Sequence, residues 1–390
     1  MRFVIKKWAD VLRITSGKTQ KGVLDPNGAY PIYGSGGIMG YANQYLCEAG
    51  TTIVGRKGTI DNPIFVNERF WNVDTAFGIS PGEQLNSRYL YFFCRHFNFR
   101  QLDKSTTIPS LAKTDLLSIE MPVPPLSEQK RIVARIEELF SELDNGVETL
   151  KKTKQQLAVY RQSVLKAAFE GALECSEKTM SIDDLLVTDR KGMTTGPFGT
   201  LIKKHEHQHE GVPMLGIENI GEGKFIDGNK IFVTAEKALE LKAFSLKAGD
   251  IIISRSGTVG EICSVPARME GALLSTNLIR VSLNPEKVLP AFFIYMFLSK
   301  GVVLDQVKEL CKGSTRLFLN QTILRQIHFP IPNLKKQSQI IGEIESKMSV
   351  CDGIEKSVDS ALQQAESMRQ SILKKAFEGA LGKKEETPCH

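Results

Sequence analysis

At 390 residues the chain is too long for one ordinary core and fits two domains, with material left over for long helices. Its 42% hydrophobic and 24% charged residues are those of a soluble globular protein. No stretch approaches the roughly eighteen apolar residues of a membrane span, and the start MRFVIKKWADVLRI lacks the apolar core of a signal peptide, so no membrane partner and a cytoplasmic location are expected. Seven scattered cysteines (Cys47, Cys94, Cys175, Cys263, Cys311, Cys351, Cys389) offer neither an even disulfide set nor a pair at metal-ligand spacing, and they read as reduced, mostly buried thiols. The net charge of +6 is mild, but its distribution is uneven: residues 1–125 carry 14 basic against 10 acidic side chains and residues 176–330 carry 19 against 17, while 126–175 (8 against 8) and 331–390 (9 against 9) are neutral. A polyanionic partner would therefore touch the first and third blocks.

In chain order, Ala49 to Ile60 reads as a strand, a turn bearing Arg56, Lys57 and Gly58, and a second strand; Lys104-Ser105-Thr106-Thr107 is a further basic-polar turn. Pro122-Val123-Pro124 then forbids a helix at that point and is followed by about 45 residues without proline, in which Ile136, Leu143, Leu150, Leu157 and Val164 step by seven. A second set, Ile132, Leu139 and Tyr160, falls four residues ahead of members of the first, so a long helix with a coiled-coil face is predicted. Beyond it come Lys203-Lys204-His205, then Ala248 to Val259 with Arg255-Ser256-Gly257 at its turn, and Lys312-Gly313-Ser314-Thr315-Arg316. From Pro330-Ile331-Pro332 a second helix is predicted, its seam carrying Ile344, Cys351, Val358, Ala365 and Ile372.

These elements repeat. RQSVLKAAFEGAL (161–173) recurs as RQSILKKAFEGAL (369–381), identical at eleven of thirteen positions, and the same offset of 208 aligns Pro122 with Pro330, Pro124 with Pro332, Gln129 with Gln337, Ile136 with Ile344 and Asp144 with Asp352. The strand–turn–strand at 49–60 matches that at 248–259 more weakly. The expected architecture is a first domain (1–125), a helical region (126–175), a second domain (176–330), a second helical region (331–386) and a tail (387–390). A short link from Leu173 to about Ile182 favours antiparallel helices, since one compact domain can then join the end of the first helix to the start of the second. Two slightly basic domains held by such a rod suit a split DNA site, whose successive major grooves recur about every 34–36 Å.

The catalytic and cofactor motifs that the chain approaches are each incomplete. Ser16-Gly17-Lys18-Thr19 ends like a phosphate-binding loop, but Leu12 stands where its first glycine is required. Asn62-Pro63-Ile64-Phe65 is similar to the Asn-Pro-Pro-Phe/Tyr segment that holds a flipped adenine, yet lacks its second proline and a preceding methyl-donor loop, so it reads as a turn. His205-Glu206-His207-Gln208-His209-Glu210 lacks ligands from a second element and reads as a solvated loop, not a metal site. No catalytic residue and no cofactor is expected. The remaining candidates are the basic-polar turns, as DNA contacts: Arg56, Lys57, Lys104, Ser105, Thr106, Thr107, Lys203, Lys204, Arg255, Ser256, Lys312, Ser314, Thr315 and Arg316. Arginine can grip guanine through two hydrogen bonds, while Lys, Ser and Thr suit phosphates.

Pro122 to Val133 and Leu165 to Gly171, with their second copies, resemble the helical regions of the specificity subunits of type I restriction-modification systems, the HsdS family. Tyr30-Pro31-Ile32-Tyr33-Gly34 and Gly196-Pro197-Phe198-Gly199 resemble segments early in that family's target-recognition domains. The second copy departs from the pattern at Asn333-Leu334-Lys335-Lys336-Gln337. The resemblance implies an α+β chain in which two α/β target-recognition domains are joined by two long antiparallel coiled-coil helices with an internal pseudo-twofold. It further implies a non-catalytic subunit whose partners are double-stranded DNA, two methyltransferase subunits and, for cleavage, nuclease-translocase subunits. Each domain would read one half of a bipartite target. Two other classes stay open on the residues alone: a coiled-coil scaffold that masks a companion nuclease, and an enzyme whose methyltransferase or nuclease site goes unrecognised.

Overall fold

Thr51-Thr52-Ile53-Val54-Gly55 is β-branched at four positions and buried at all five, as a strand must be when it is covered on both faces. Ile251-Ile252-Ile253-Ser254 repeats the pattern. The computed structural model describes residues 3–174, 179–198, 201–257, 259–311 and 318–381. They form two compact units, the first from residues within 1–152 and 358–390 and the second from residues within 153–357.

The first unit contains strands β1 (Leu12–Ser16), β2 (Tyr30–Gly34), β3 (Gly37–Ala42), β4 (Thr51–Gly55), β5 (Ile64–Val66), β6 (Trp71–Asn72) and β7 (Ala76–Pro81), helix α1 (Ser87–His96), and the first part of the long helix α2 (Leu126–Glu174). A four-stranded antiparallel sheet runs β1-β7-β4-β5, and a three-stranded sheet runs β3-β2-β6 with β2 and β6 parallel. The second unit contains β8 (Met193–Thr195), β9 (Val212–Leu215), β10 (Ile231–Val233), β11 (Ile251–Ser254), β12 (Ile262–Ser264), β13 (Leu273–Leu274), β14 (Leu278–Val281), helix α3 (Pro290–Leu298) and much of the long helix α4 (Leu334–Phe377). Its sheets run β8-β14-β11-β12 and β10-β9-β13, with β9 and β13 parallel. Strand for strand, the second domain repeats the first, although the two sequences resemble each other only weakly. In each, a two-stranded antiparallel pair closes the domain: Ile5–Lys7 with Glu120–Pro122, and Thr179–Met180 with Phe329–Pro330.

Each domain core is completed by helix residues. In the first unit Ile132, Val133 and Ile136 of α2 and Leu373, Ala376 and Phe377 of α4 join Val54, Phe77, Leu90 and Phe93, and the Phe377 ring stands edge-on to Tyr89 at 5.1 Å and to Phe93 at 5.3 Å. In the second unit Leu165 and Phe169 of α2 and Ile340 and Ile344 of α4 join Ile251, Ile279 and Phe293, with the Phe169 ring 5.2 Å from that of Phe292. Phe169 and Phe377 are equivalent under the sequence duplication.

Within each unit the two helices run antiparallel, and the same ion pair marks it twice. Arg161 donates to Asp352 at 2.6 Å and to Glu355 at 3.0 Å in the second unit, and Arg369 donates to Asp144 in the first, each pair being the other shifted by the sequence offset. Of the predicted seam, Ile136, Leu157, Val164, Ile344, Cys351, Val358 and Ala365 are buried, and Leu143, Leu150 and Ile372 are half-buried. Tyr160, expected beside the seam, is instead half exposed. It stands one residue from Arg161, about 100° around the helix, so the ion pair takes one flank and leaves the ring on another.

The proline punctuation hides a polar device. Fully buried Gln129 accepts through Oε1 from the Asn86 N–H at 2.8 Å and donates through Nε2 to the carbonyls of Gln84 and Pro124, both at 2.8 Å. Fully buried Gln337 accepts from the Leu289 N–H at 2.8 Å and donates to the carbonyls of Lys287 at 2.9 Å and Pro332 at 2.8 Å. The departure at Asn333 is a capping change: its side chain accepts from the Lys336 N–H at 3.0 Å, where the first copy has Pro125 ahead of its helix. Replacing Gln129 or Gln337 by leucine orphans one amide and two carbonyls, and each substitution should cost about 3 kcal/mol in urea unfolding. Glutamate in either place keeps the shape, loses both donors and should destabilise as well.

Candidate nucleic-acid interface

Strand β4 ends at Gly55, where a side chain would meet the Thr59 carbonyl at 1.9 Å, and the chain turns through Gly58 at φ +81°. The turn between them carries Arg56 and Lys57, both exposed. The Arg56 N–H donates to the Thr75 carbonyl at 2.7 Å, and its own carbonyl accepts from Leu111 at 2.9 Å. Strand β11 ends in an equivalent turn. Gly257 has φ +80°, the Arg255 N–H donates to the Asn277 carbonyl at 3.0 Å, and the Arg255 carbonyl accepts from Leu319 at 3.0 Å. The two arginines are thus mounted on the same backbone frame, each beside a ring: the Arg56 guanidinium lies 5.9 Å from the Phe77 ring and the Arg255 guanidinium 5.2 Å from that of Phe198. Arg56 also donates to the Asp74 carbonyl at 3.3 Å, and the Ser256 hydroxyl donates to Asn277 Oδ1 at 3.2 Å.

In the first domain the basic turns converge. Arg56, Lys104 and Ser105 line one open hollow of about 580 Å³ together with Ser16, Lys113 and Asp115. Lys104 is paired with Asp115 at 2.9 Å, and Thr106 and Thr107 are exposed on the same loop. That loop is held by a residue the sequence reading passed over. Asp103 Oδ1 accepts from the Ser105 hydroxyl at 2.6 Å and from the N–H groups of Ser105 at 3.0 Å and Ser110 at 3.1 Å. The Ser105 hydroxyl above all, then the two amides, hold this carboxyl below the usual aspartate range. The spacing of Asp103 and Ser105 is the local signal for such a turn.

In the second domain Lys203 and Lys204 are exposed at a short 3-10 turn (Lys204–Glu206), whose Glu206 accepts from the Lys203 N–H at 2.6 Å and pairs with Lys237 at 2.8 Å. These contacts, led by Lys237, lower the Glu206 pKa and engage one of the two carboxylates of the histidine-rich run. Among the described residues no cluster of His, Cys, Asp and Glu could hold a metal ion. Lys312, Ser314, Thr315 and Arg316 lie outside the described residues. Where Thr51 of the first domain meets Ser80 at 2.9 Å, the second has a buried Asp250 that accepts from Ser282 at 2.8 Å and pairs with Arg190, so one frame carries different polar chemistry beneath its two sheets.

Because the Asp103 carboxyl is more acidic than in an unfolded chain, its hold on the loop is complete above the ordinary aspartate pKa of about 3.9 and is lost as pH falls through the lower folded value. The Ser105 and Ser110 amide resonances should shift together in that acid range, and in Asp103→Ala they should already sit at the shifted positions at pH 7.

Residues 2–158 and 196–363 match the family described as type I restriction modification DNA specificity domain. The chain is similar to the type I restriction enzyme EcoBI specificity subunit of Escherichia coli, with 24% identity over 357 residues covering 84% of this chain and 73% of that protein. It is similar to the EcoKI specificity subunit of Escherichia coli strain K12, with 26% identity over 328 residues covering 78% and 67%. A solved chain described under the structural basis of complex assembly and conformational transition of the type I R-M system shares the fold at a TM-score of 0.71, with 15% identity and 97% and 98% of the two chains covered.

Proposed function

The chain belongs to the family of type I restriction-modification DNA specificity domains, and from that membership we propose that its two recognition domains (within 1–125 and 176–330) each read one half of a bipartite DNA target. The observation that carries this reading is the pair of equivalent turns bearing Arg56 and Arg255, one in each of two domains with the same strand order. A duplicated frame with diverged side chains suits a split, asymmetric site. The frame places the reading group and the side chains choose the base. Arginine offers the guanine edge a fork of donors, and the aromatic ring beside each guanidinium restricts its orientation.

The helical regions (126–175 and 331–386) set the spacer between half-sites and dock two methyltransferase subunits, with nuclease-translocase subunits joining for cleavage. Their neutral charge and long apolar seam support a protein partner over a phosphate backbone. The chain itself supplies recognition, and the methyl donor, the chemistry and the nucleotide-driven movement belong to its partners.

Arg255→Ala should weaken specific binding by about 1–3 kcal/mol and relax discrimination in one half-site only, with Arg56→Ala acting in the other half. The check is a competition assay with every single-base variant of the methylation-mapped target, at two salt concentrations and with methyltransferase subunits present. A phosphate contact would instead lower affinity for all sequences and shallow the salt dependence by about one unit. Unchanged affinity and base preference in both variants would remove these turns from the reading surface. Inserting about four residues, one helical turn, at matched points of both helices should alter the tolerated spacer by about one or two base pairs and leave the half-sites unchanged. Altered half-sites with an unaltered spacer would take the spacing role from the helices.

A further inference from the structure

Between the two ends that Asp103 ties together, the loop of the first domain presents Thr106, Thr107 and Ile108. Ile108 is 62% exposed. A lone exposed aliphatic side chain is ordinary on a protein surface; this one stands on a braced support. The Pro109 carbonyl next to it accepts from the Gly58 N–H at 2.9 Å, Ser110 forms a bridge with Lys57, and the Leu111 N–H donates to the Arg56 carbonyl at 2.9 Å. Pro109 also removes a backbone freedom directly after the isoleucine. The loop is therefore stitched to the arginine turn, so the backbone that carries Lys104 and Ile108 is held beside the backbone that carries Arg56 and Lys57. The glycine-rich end of the β2–β3 hairpin abuts the same turn, since the Ser35 Cβ lies 3.1 Å from the position a Gly55 side chain would take.

The cationic side chains of the two joined loops draw a polyanion to this end of the domain, and an exposed branched aliphatic group on one of those loops has no use for phosphate. It suits an apolar group on a DNA groove floor. The C5-methyl of thymine is the one such group that a major groove presents. We propose that Ile108 is a specificity-determining residue, packing on a thymine methyl in the half-site read by the first domain. The proposal rests on the DNA-reading function above and adds the base and the atom recognised. Arg56 supplies the polar contact and Ile108 the apolar one, and the shared brace between their loops fixes the distance from one to the other.

The test is a double-mutant cycle between a side-chain change and a DNA methyl deletion. The full chain, assembled with its methyltransferase subunits, is titrated with its mapped target in which each thymine in turn is replaced by deoxyuridine. With the native chain, one deoxyuridine position in one half-site should weaken binding about four-fold, the worth of a single buried methyl group. Ile108→Ala should bind the unmodified target about as weakly and lose its sensitivity at that position alone. Ile108→Val should retain part of it, and Arg56→Ala should retain it in full. Native binding indifferent to every deoxyuridine, or an Ile108→Ala variant that keeps the native sensitivity, overturns the proposal. So does a uniform loss on all duplexes, which would mark Ile108 as a loop prop or a protein contact. Failure of the native complex to prefer its target over random duplex would instead overturn the DNA-reading function on which the proposal stands.

Discussion

A buried primary amide joins each recognition domain to its helix. Gln129 and Gln337 sit at the points where extended chain becomes helix, and such points strand backbone groups that neither strand nor helix can satisfy. The amide can both accept and donate twice, so one side chain closes three backbone groups from the start of the helix and the loop before α1 or α3. Proline at 124 and 332 complements it by keeping the helix from starting early. The direction in which each long helix leaves its domain is therefore set by hydrogen bonds of specific length and angle. An apolar contact, being non-directional, would tolerate rotation.

What the sequence made legible follows from how each constraint is written into residue type. The helical regions could be read in detail because a seven-residue seam and a near-identical thirteen-residue repeat are both one-dimensional patterns. The recurrence of strand order across the two domains could not. Short strands such as Trp71–Asn72 and Leu273–Leu274 carry too few positions for a period-two signal, and the parallel pairings β2–β6 and β9–β13 join segments about 40 to 60 residues apart. Tyr160 shows the same limit from the other side: spacing alone put it by the seam, and only the ion-pair geometry of Arg161 shows which flank it occupies. In the candidate site the glycine-bearing turns were visible, whereas the bracing by Asp103, Thr75 and Asn277 depends on which loops meet in space.

The duplicated frame also separates what must be kept from what can change. The backbone bonds from Arg56 to Thr75 and Leu111, and from Arg255 to Asn277 and Leu319, involve no side-chain atoms, so the turn survives replacement of almost any residue on it except the glycines at positive φ. The side chains of exposed Arg56 and half-buried Arg255 stand outside those bonds, whereas Phe77 beside Arg56 is a buried core residue of the first unit. A scaffold of this kind lets the exposed side chains of a turn change without disturbing the core, because the bonds that hold the turn are made by backbone atoms.

The docking of Phe377 against Tyr89 and Phe93 has a consequence for synthesis. The second unit is continuous in the chain, from residue 153 to 357, and every group it needs has been polymerised once that stretch is complete. The first unit draws on both ends, and its aromatic helix face stays uncovered while nearly three hundred further residues are added. Of the two units, the one that begins earlier in the chain is thus the later to be finished. A chain that ends before Phe377 leaves the Tyr89 and Phe93 rings without the aromatic group that covers them, an apolar surface of the kind that makes incomplete chains prone to aggregation.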